Sequence, residues 1–291
     1  MTRIAVLGPG GVGGFLAAVL ARAGEDVTVV AREPTAEHIA AHGIMVDSVR
    51  LGRFTARPPA THDLGVTPEI LLVATKATDL DAAIARIAGD PGIVVPLLNG
   101  IEHVAHLRRK FPGPVVPGTI RIAAERTAPG HIRHTSALSR VELAPGGPGV
   151  DALVHTLRLA EVPAKVVTSE AAVLWSKLTR LGPLALSTAA SGLPIGAVLA
   201  HPRWRLLVQS AVDETAAVAA AEGARVDPGT VLEEIAQLGP EQTSSLARDV
   251  DQGRPNELDS IGGAILRAAA RHGLEAPGVA ELVQVVEDRV R

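Results

Sequence analysis

Along the first hundred residues, short and wholly apolar runs alternate with stretches whose apolar residues recur at helical spacing. The runs are Ile4–Leu7, Val27–Ala31, Ile70–Ala74 and Ile93–Leu97. With no polar face of their own, they predict strands covered on both sides. Gly13–Ala23, ended by Gly24, and Leu80–Ile87 predict helices between strands. Such alternation predicts βαβ units and a parallel sheet. From Val115 to Leu143 the pattern changes. Pro129-Gly130 signals a turn, and the runs around Ile120 and His131–His134 read as strands of a hairpin-like extension. After the loop Pro145-Gly146-Gly147-Pro148-Gly149, one more helix and a strand at Ala164–Val167 close the region.

Beyond Thr168 the signals are mainly helical. Ser169 is an N-cap candidate for a helix through Leu181. Leu206–Glu222 is Ala-rich and stopped by Gly223. Asn256 heads a helix to His272, stopped by Gly273, and Pro277–Val290 is the last. The fold class expected is α/β: a doubly wound sheet domain over residues 1–168 and an all-helical domain over 169–291. Leu181–Ala200 carries no charge and has the length of a membrane span, roughly 20 residues. Gly182, Pro183, Gly192, Pro194 and Gly196 interrupt it, and Ser187, Thr188 and Ser191 add polar groups, so it reads as a broken, buried segment.

Composition narrows the function. The net charge of −3 offers no footprint for nucleic acid or an anionic membrane, so neither is expected as a partner. With no cysteine, disulfides, thiolate metal sites and a cysteine nucleophile are excluded. The ten histidines show no ligand spacing, and no metal site is expected. No basic and apolar leader precedes the first strand, so the expected location is cytoplasmic.

The first strand runs into Gly8-Pro9-Gly10-Gly11-Val12-Gly13, a G-x-G-x-x-G turn that opens a helix. Gly8 permits the tight turn. Gly10 lets a pyrophosphate approach the backbone, and Gly13 lets helix and sheet pack closely. The helix N-terminus then offers unpaired N–H groups and a positive dipole end to the phosphates. Strand, turn, helix and second strand together predict a Rossmann-type dinucleotide site. The second strand ends in Val30-Ala31-Arg32, not in the acid usual for NAD. A guanidinium there suits a 2′-phosphate, so NADP(H) is the expected cofactor; Glu33 follows directly, and the alternative for Arg32 is a solvated surface arginine.

Further candidates lie at strand ends and on helices. Ala74-Thr75-Lys76-Ala77 and Leu98-Asn99-Gly100 both fall at carboxyl ends of strands, where open α/β sheets bind ligands, though either could be a simple turn. In Trp175-Ser176-Lys177-Leu178, the helical neighbours of Lys177 are Val173, Leu174 and Leu181. That lysine either snorkels outward or faces a cleft partly desolvated, where a lowered pKa would suit a general acid. Glu257 sits in the first turn of the Asn256-capped helix, where a carboxylate is favoured whatever its function. Ser244-Ser245 precedes it on a polar stretch.

The order of these motifs resembles the ketopantoate reductase (2-dehydropantoate 2-reductase) family over nearly the whole chain. The resemblance runs through the glycine turn, Arg32, Thr75-Lys76-Ala77, Asn99-Gly100, Pro129 to His134, Trp175 to Leu178, the paired serines, and Glu257 with Asp259. It implies NADPH-dependent reduction of a small 2-keto acid, in a cleft between two domains. Lys177 would give the proton to the keto oxygen, and Glu257 would help hold the substrate. Ser245 would lie near the substrate carboxylate, Asn99 where cofactor meets substrate, Lys76 along the cofactor cleft and Arg32 on the 2′-phosphate. A homodimer is compatible with it.

The chain departs from the family pattern where asparagines usually form a polar wall. Leu181, Ala185 and Ile195 stand there. A site lacking donors for a buried hydroxyl disfavours substrates that carry one. Ketopantoate is therefore the default substrate, with a more apolar 2-keto acid as the sharper expectation. The alternatives are a D-2-hydroxyacid dehydrogenase for branched or aromatic keto acids, and an NADP(H)-binding sensor without catalysis.

Overall fold

The computed structural model describes residues 2–137 and 139–291. Contacts divide them into two units. One holds the chain up to Leu98 and His103–Val173; the other holds Asn99–Glu102 and Leu174–Arg291.

The first unit opens with β1 (Ile4–Leu7), α1 (Gly11–Arg22), β2 (Val27–Val30) and α2 (Glu33–His42). β3 (Ile44–Ser48), β4 (Gly52–Ala56), β5 (Ala60–Thr61) and β6 (Ile70–Val73) follow. Then come α3 (Leu80–Ile84), β7 (Ile93–Pro96) and α4 (His103–Lys110). A five-stranded sheet runs in the order β5-β2-β1-β6-β7, all parallel. Every residue of β1, β6 and β7 is buried, as their unbroken apolar sequences require. The chain winds outward from β1 in one direction through β2 and β5, then in the other through β6 and β7. This leaves a switch point at β1. Leu7 is level with Val30 on one side and Val73 on the other, so three strands end at the same height.

The later strands are β8 (Gly118–Arg121), β9 (Ala124–Ala128), β10 (His131–His134) and β11 (Arg140–Leu143), followed by α5 (Pro148–Leu159) and β12 (Ala164–Val166). The hairpin expected from Ile120 and His131–His134 is corrected here. The partner of β10 is β9, through the turn at Gly130, whereas β8 pairs with β11. The division follows burial. β8 is almost wholly buried and stays with the core, while β9 is polar and exposed apart from Ala124. On its other side β10 pairs with β3, and the β3–β4 hairpin, which the apolar pattern did not signal, completes a second sheet.

The second unit is helical. It contains most of α6 (Glu170–Ser191), then α7 (Ile195–Ala200), α8 (Pro202–Ala221), α9 (Pro228–Ala236), α10 (Ser245–Asp251), α11 (Ala264–Arg271) and α12 (Pro277–Val290). Ser169 caps α6 by accepting the Ala172 amide. The helix expected to end at Leu181 runs further: α6 continues through Pro183 and stops at Gly192. Its buried hydroxyls satisfy themselves within the helix. Thr179 donates to the Trp175 carbonyl and Thr188 to that of Leu184. Leu184, Ile195, Val198, Val208, Val212, Val231 and Ile235 form one of its cores. No helix among the described residues is long and apolar enough to cross a membrane.

Candidate active site

In the sheet unit, the level carboxyl ends of β1, β2 and β6 lead into Gly8, Ala31-Arg32 and Ala74-Thr75. Gly8 adopts φ +89°, a left-handed conformation that other residues rarely take. A Cβ there would also lie 2.7 Å from the Thr75 methyl. A Cβ on Gly13 would fall 2.2 Å from the Gly8 carbonyl, so helix and turn can meet this closely only without side chains. One on Gly10 would enter open space. Gly11 serves packing as well, since its Cβ would meet the Ala124 carbonyl on β9 at 2.2 Å. Pro9 is buried and Val12 half-buried. Thr75 Oγ1 is buried with no partner among the described residues, directly beside this turn. A buried hydroxyl without a partner is costly. An uncrowded Gly10, an α1 N-terminus whose cap has no side chain, and an unpaired hydroxyl fit a dinucleotide pyrophosphate.

Arg32 is the residue before α2 and is largely exposed. Its Nη2 donates to Asp79 Oδ1 at 2.7 Å. Asp79 closes a one-turn 3-10 helix, Ala77–Asp79, whose N-cap is the half-buried Lys76. Asp79 was not singled out by the sequence, although it lies only three residues beyond Lys76.

In the helical unit, two residues 158 positions apart come together: Asn99 Nδ2 donates to Glu257 Oε2 at 2.9 Å. Glu257 is only 8% exposed, notable for a carboxylate. Asn256 accepts the Leu258 amide, and Asp259–Gly263 then form a π-helical turn ahead of α11. Such turns often mark functional positions. The Asn99–Glu102 segment is docked onto this turn. Gly100 has φ +81°, and a Cβ there would lie 2.1 Å from the Ser260 carbonyl. Arg267 straddles both pieces, reaching Glu102 Oε2 and Asp259 Oδ1 at 2.7 Å each. These two hydrogen-bonded carboxylates hold its pKa above the ordinary arginine value. Nothing in the sequence pointed to Glu102 or Arg267.

Lys177 lies on α6 and is half-buried, with Trp175 and Leu178 buried beside it. Leu181 is half-buried; Ala185 and Ile195 are buried, Ile195 within an apolar core. Of the paired serines, Ser245 is exposed at the first position of α10. Ser244 is buried, caps that helix through the Ala247 amide, and bonds Thr188 at 2.9 Å.

Two family models match the chain. Ketopantoate reductase PanE/ApbA covers residues 4–147, and its C-terminal counterpart covers 171–289. The 2-dehydropantoate 2-reductase of Caulobacter vibrioides is 34% identical, with 98% of each chain covered. The chain belongs to the ketopantoate reductase family. It is thus an oxidoreductase acting on CH–OH groups and working with a nicotinamide cofactor. The family relative from Mycobacterium tuberculosis, also a 2-dehydropantoate 2-reductase, is 30% identical, covering 95% of this chain and 94% of its own. Among solved structures, the family's ketopantoate reductase from Ralstonia eutropha superposes with a TM-score of 0.89 at 27% identity, covering 99% and 98% of the two chains. D-mandelate dehydrogenase, solved with NADH and anilino(oxo)acetate, shares the fold, with a TM-score of 0.88 at 21% identity over 99% and 98%.

Proposed function

We propose that this protein reduces a 2-keto acid to the 2-hydroxy acid with NADPH, and that its substrate is more apolar than ketopantoate, the default for the family. The reading is carried by the Asn99–Glu257 hydrogen bond, which fixes a buried carboxylate beside a polar amide. Gly8 to Gly13, with Thr75, would hold the pyrophosphate, and Arg32 the 2′-phosphate, with Lys76 along the same edge. When bound, the nicotinamide supplies hydride. Lys177 donates the proton to the keto oxygen. Glu257, oriented by Asn99, accepts a hydrogen bond from the substrate, and Ser245 meets its carboxylate at the start of α10.

The substrate preference rests on Leu181, Ala185 and Ile195, which offer no hydrogen-bonding side chain. The same observation favours a second reading, a D-2-hydroxyacid dehydrogenase for branched or aromatic keto acids. NADPH oxidation with ketopantoate, 2-ketoisovalerate and phenylglyoxylate tests both. Faster turnover of 2-ketoisovalerate than of ketopantoate is expected. A preference for ketopantoate would remove the apolar-pocket argument, and turnover of phenylglyoxylate alone would favour the second reading.

A further inference from the structure

The Arg32–Asp79 pair joins two loops that flank the carboxyl end of β1. Arg32 follows β2 and Asp79 follows β6, the two neighbours of β1 in the sheet. The bridge therefore crosses above the strand that leads into the Gly8 turn. The loop that brings Asp79 here also sets Thr75 against Gly8, so the same five residues touch both ends of the nucleotide edge.

We propose that Asp79 is a cofactor-selectivity residue that opposes the 2′-phosphate; this rests on the assignment of that phosphate to Arg32. The argument is electrostatic. In dinucleotide domains that prefer NAD, an acid at the end of the second strand takes the ribose hydroxyls and repels a 2′-phosphate. Here Arg32 holds that position and the acid arrives from β6, with its Oδ1 2.7 Å from the guanidinium. Asp79 thus does two things to a phosphorylated ribose. It occupies a guanidinium face that the phosphate needs, and it places a negative charge beside a dianion. Two like charges about 4 Å apart in water lower an affinity roughly fivefold, and more where water is partly excluded. Hydroxyls of an unphosphorylated ribose meet no such penalty, since a carboxylate accepts hydrogen bonds from them. The chain accordingly discriminates between the two dinucleotides less than Arg32 alone would make it.

Titrating the full-length protein calorimetrically with 2′,5′-ADP and with 5′-AMP separates the parts. Asp79→Asn keeps the side chain's shape and removes its charge. It should tighten 2′,5′-ADP about fivefold to tenfold and change 5′-AMP less than twofold. Unchanged or weaker 2′,5′-ADP binding in Asp79→Asn would mean that the carboxylate merely braces Arg32, and overturns the proposal. Equal tightening of both nucleotides would overturn it too, because the effect would not involve the 2′-phosphate. Arg32→Ala tests the underlying assignment by itself. It should cost 2′,5′-ADP most of its advantage over 5′-AMP; if the advantage persists, Arg32 is not the phosphate residue and the proposal falls with it. Loss in Arg32→Ala without a gain in Asp79→Asn sinks the selectivity role alone.

Discussion

The two halves of the candidate machinery are built from opposite materials. The proposed nucleotide edge of the sheet unit is shaped by side chains that are missing: a Cβ on Gly8 would meet Thr75 and one on Gly13 the Gly8 carbonyl, while the space beside Gly10 is open. The site of the helical unit is shaped by side chains that are present and held in place, with Glu257 buried, Asn99 bonded to it, and Arg267 tying the Asn99 segment to the π-helical turn. A site made of backbone is specified by local sequence, because sterics act over a few residues. A site made of paired side chains is specified by contacts from distant parts of the chain. Substitutions should therefore fail in different ways in the two regions.

The largest effect is expected at Lys177. Lys177→Ala should lower kcat by about 10²- to 10⁴-fold, the usual contribution of a general acid, while NADPH affinity stays nearly constant. Fluorescence titration of NADPH beside steady-state kinetics reads both quantities. A parallel loss of NADPH binding would show that the lysine holds the cofactor instead.

Gly13→Ala should do the reverse. With its Cβ 2.2 Å from the Gly8 carbonyl, the turn must move. A cost of about 1–3 kcal/mol in stability is the usual result of overpacking. Dinucleotide affinity should drop roughly tenfold or more, since the same turn is proposed to hold the pyrophosphate. Thermal unfolding and nucleotide titration check the two consequences. Normal affinity would mean that the turn is not what binds the pyrophosphate.

Asn99→Ala should have a smaller, more local effect. It leaves the Glu257 carboxylate buried with one donor fewer, a loss of about 1–3 kcal/mol. Because Glu257 is proposed to hold the substrate, KM should rise more than kcat falls. An unaltered KM would separate Asn99 from substrate binding.

How far the sequence could be read follows the same division. The apolar runs of β1, β2, β6 and β7 and the glycine turn were legible because burial on both faces and steric closeness leave local marks. The β3–β4 hairpin was not, since Asp47, Ser48, Arg53 and Thr55 break the apolar pattern that signals a strand. The partner of β10 was misread because two runs precede the Pro129-Gly130 turn, and only burial decides which of them pairs. Pro183 suggested a broken helix, but flanking apolar residues buried in the unit keep α6 continuous. At the site, helical spacing and helix position made Lys177 and Glu257 candidates with structural alternatives, and only the order of motifs that resembles the family gave them roles. The sequence offered no route to the Arg267 bridge or to Asp79, whose partners lie far along the chain.

The smallest predicted effect asks whether the sheet unit responds to acid on its own account. His134 on β10 is fully buried, with its ring 4.6 Å from that of Phe15 on α1. Its ring nitrogens meet Ser48 Oγ at 2.8 Å and Ser136 Oγ at 3.1 Å. Ser48 Oγ already accepts the amides of Arg50 and Leu51, so it is a poor acceptor for a second ring proton. Burial, and then the nearby Arg50 charge, hold the His134 pKa below the ordinary value. The folded protein thus keeps the ring neutral where the unfolded chain would protonate it. Between the depressed pKa and about 6.5, the unfolded state binds more protons, so stability falls as pH falls through that interval and is unaffected above it. Asp47, Glu222 and Asp227, all with lowered pKa values, destabilise the fold only further into acid, in the carboxylate range. Denaturant unfolding from about pH 7.5 to about pH 5, which spans the ordinary histidine pKa of about 6.5, should show a decline that His134→Gln flattens. An identical decline in that variant would place the acid sensitivity elsewhere, and the packing of β10 on α1 would then be indifferent to the charge of its histidine.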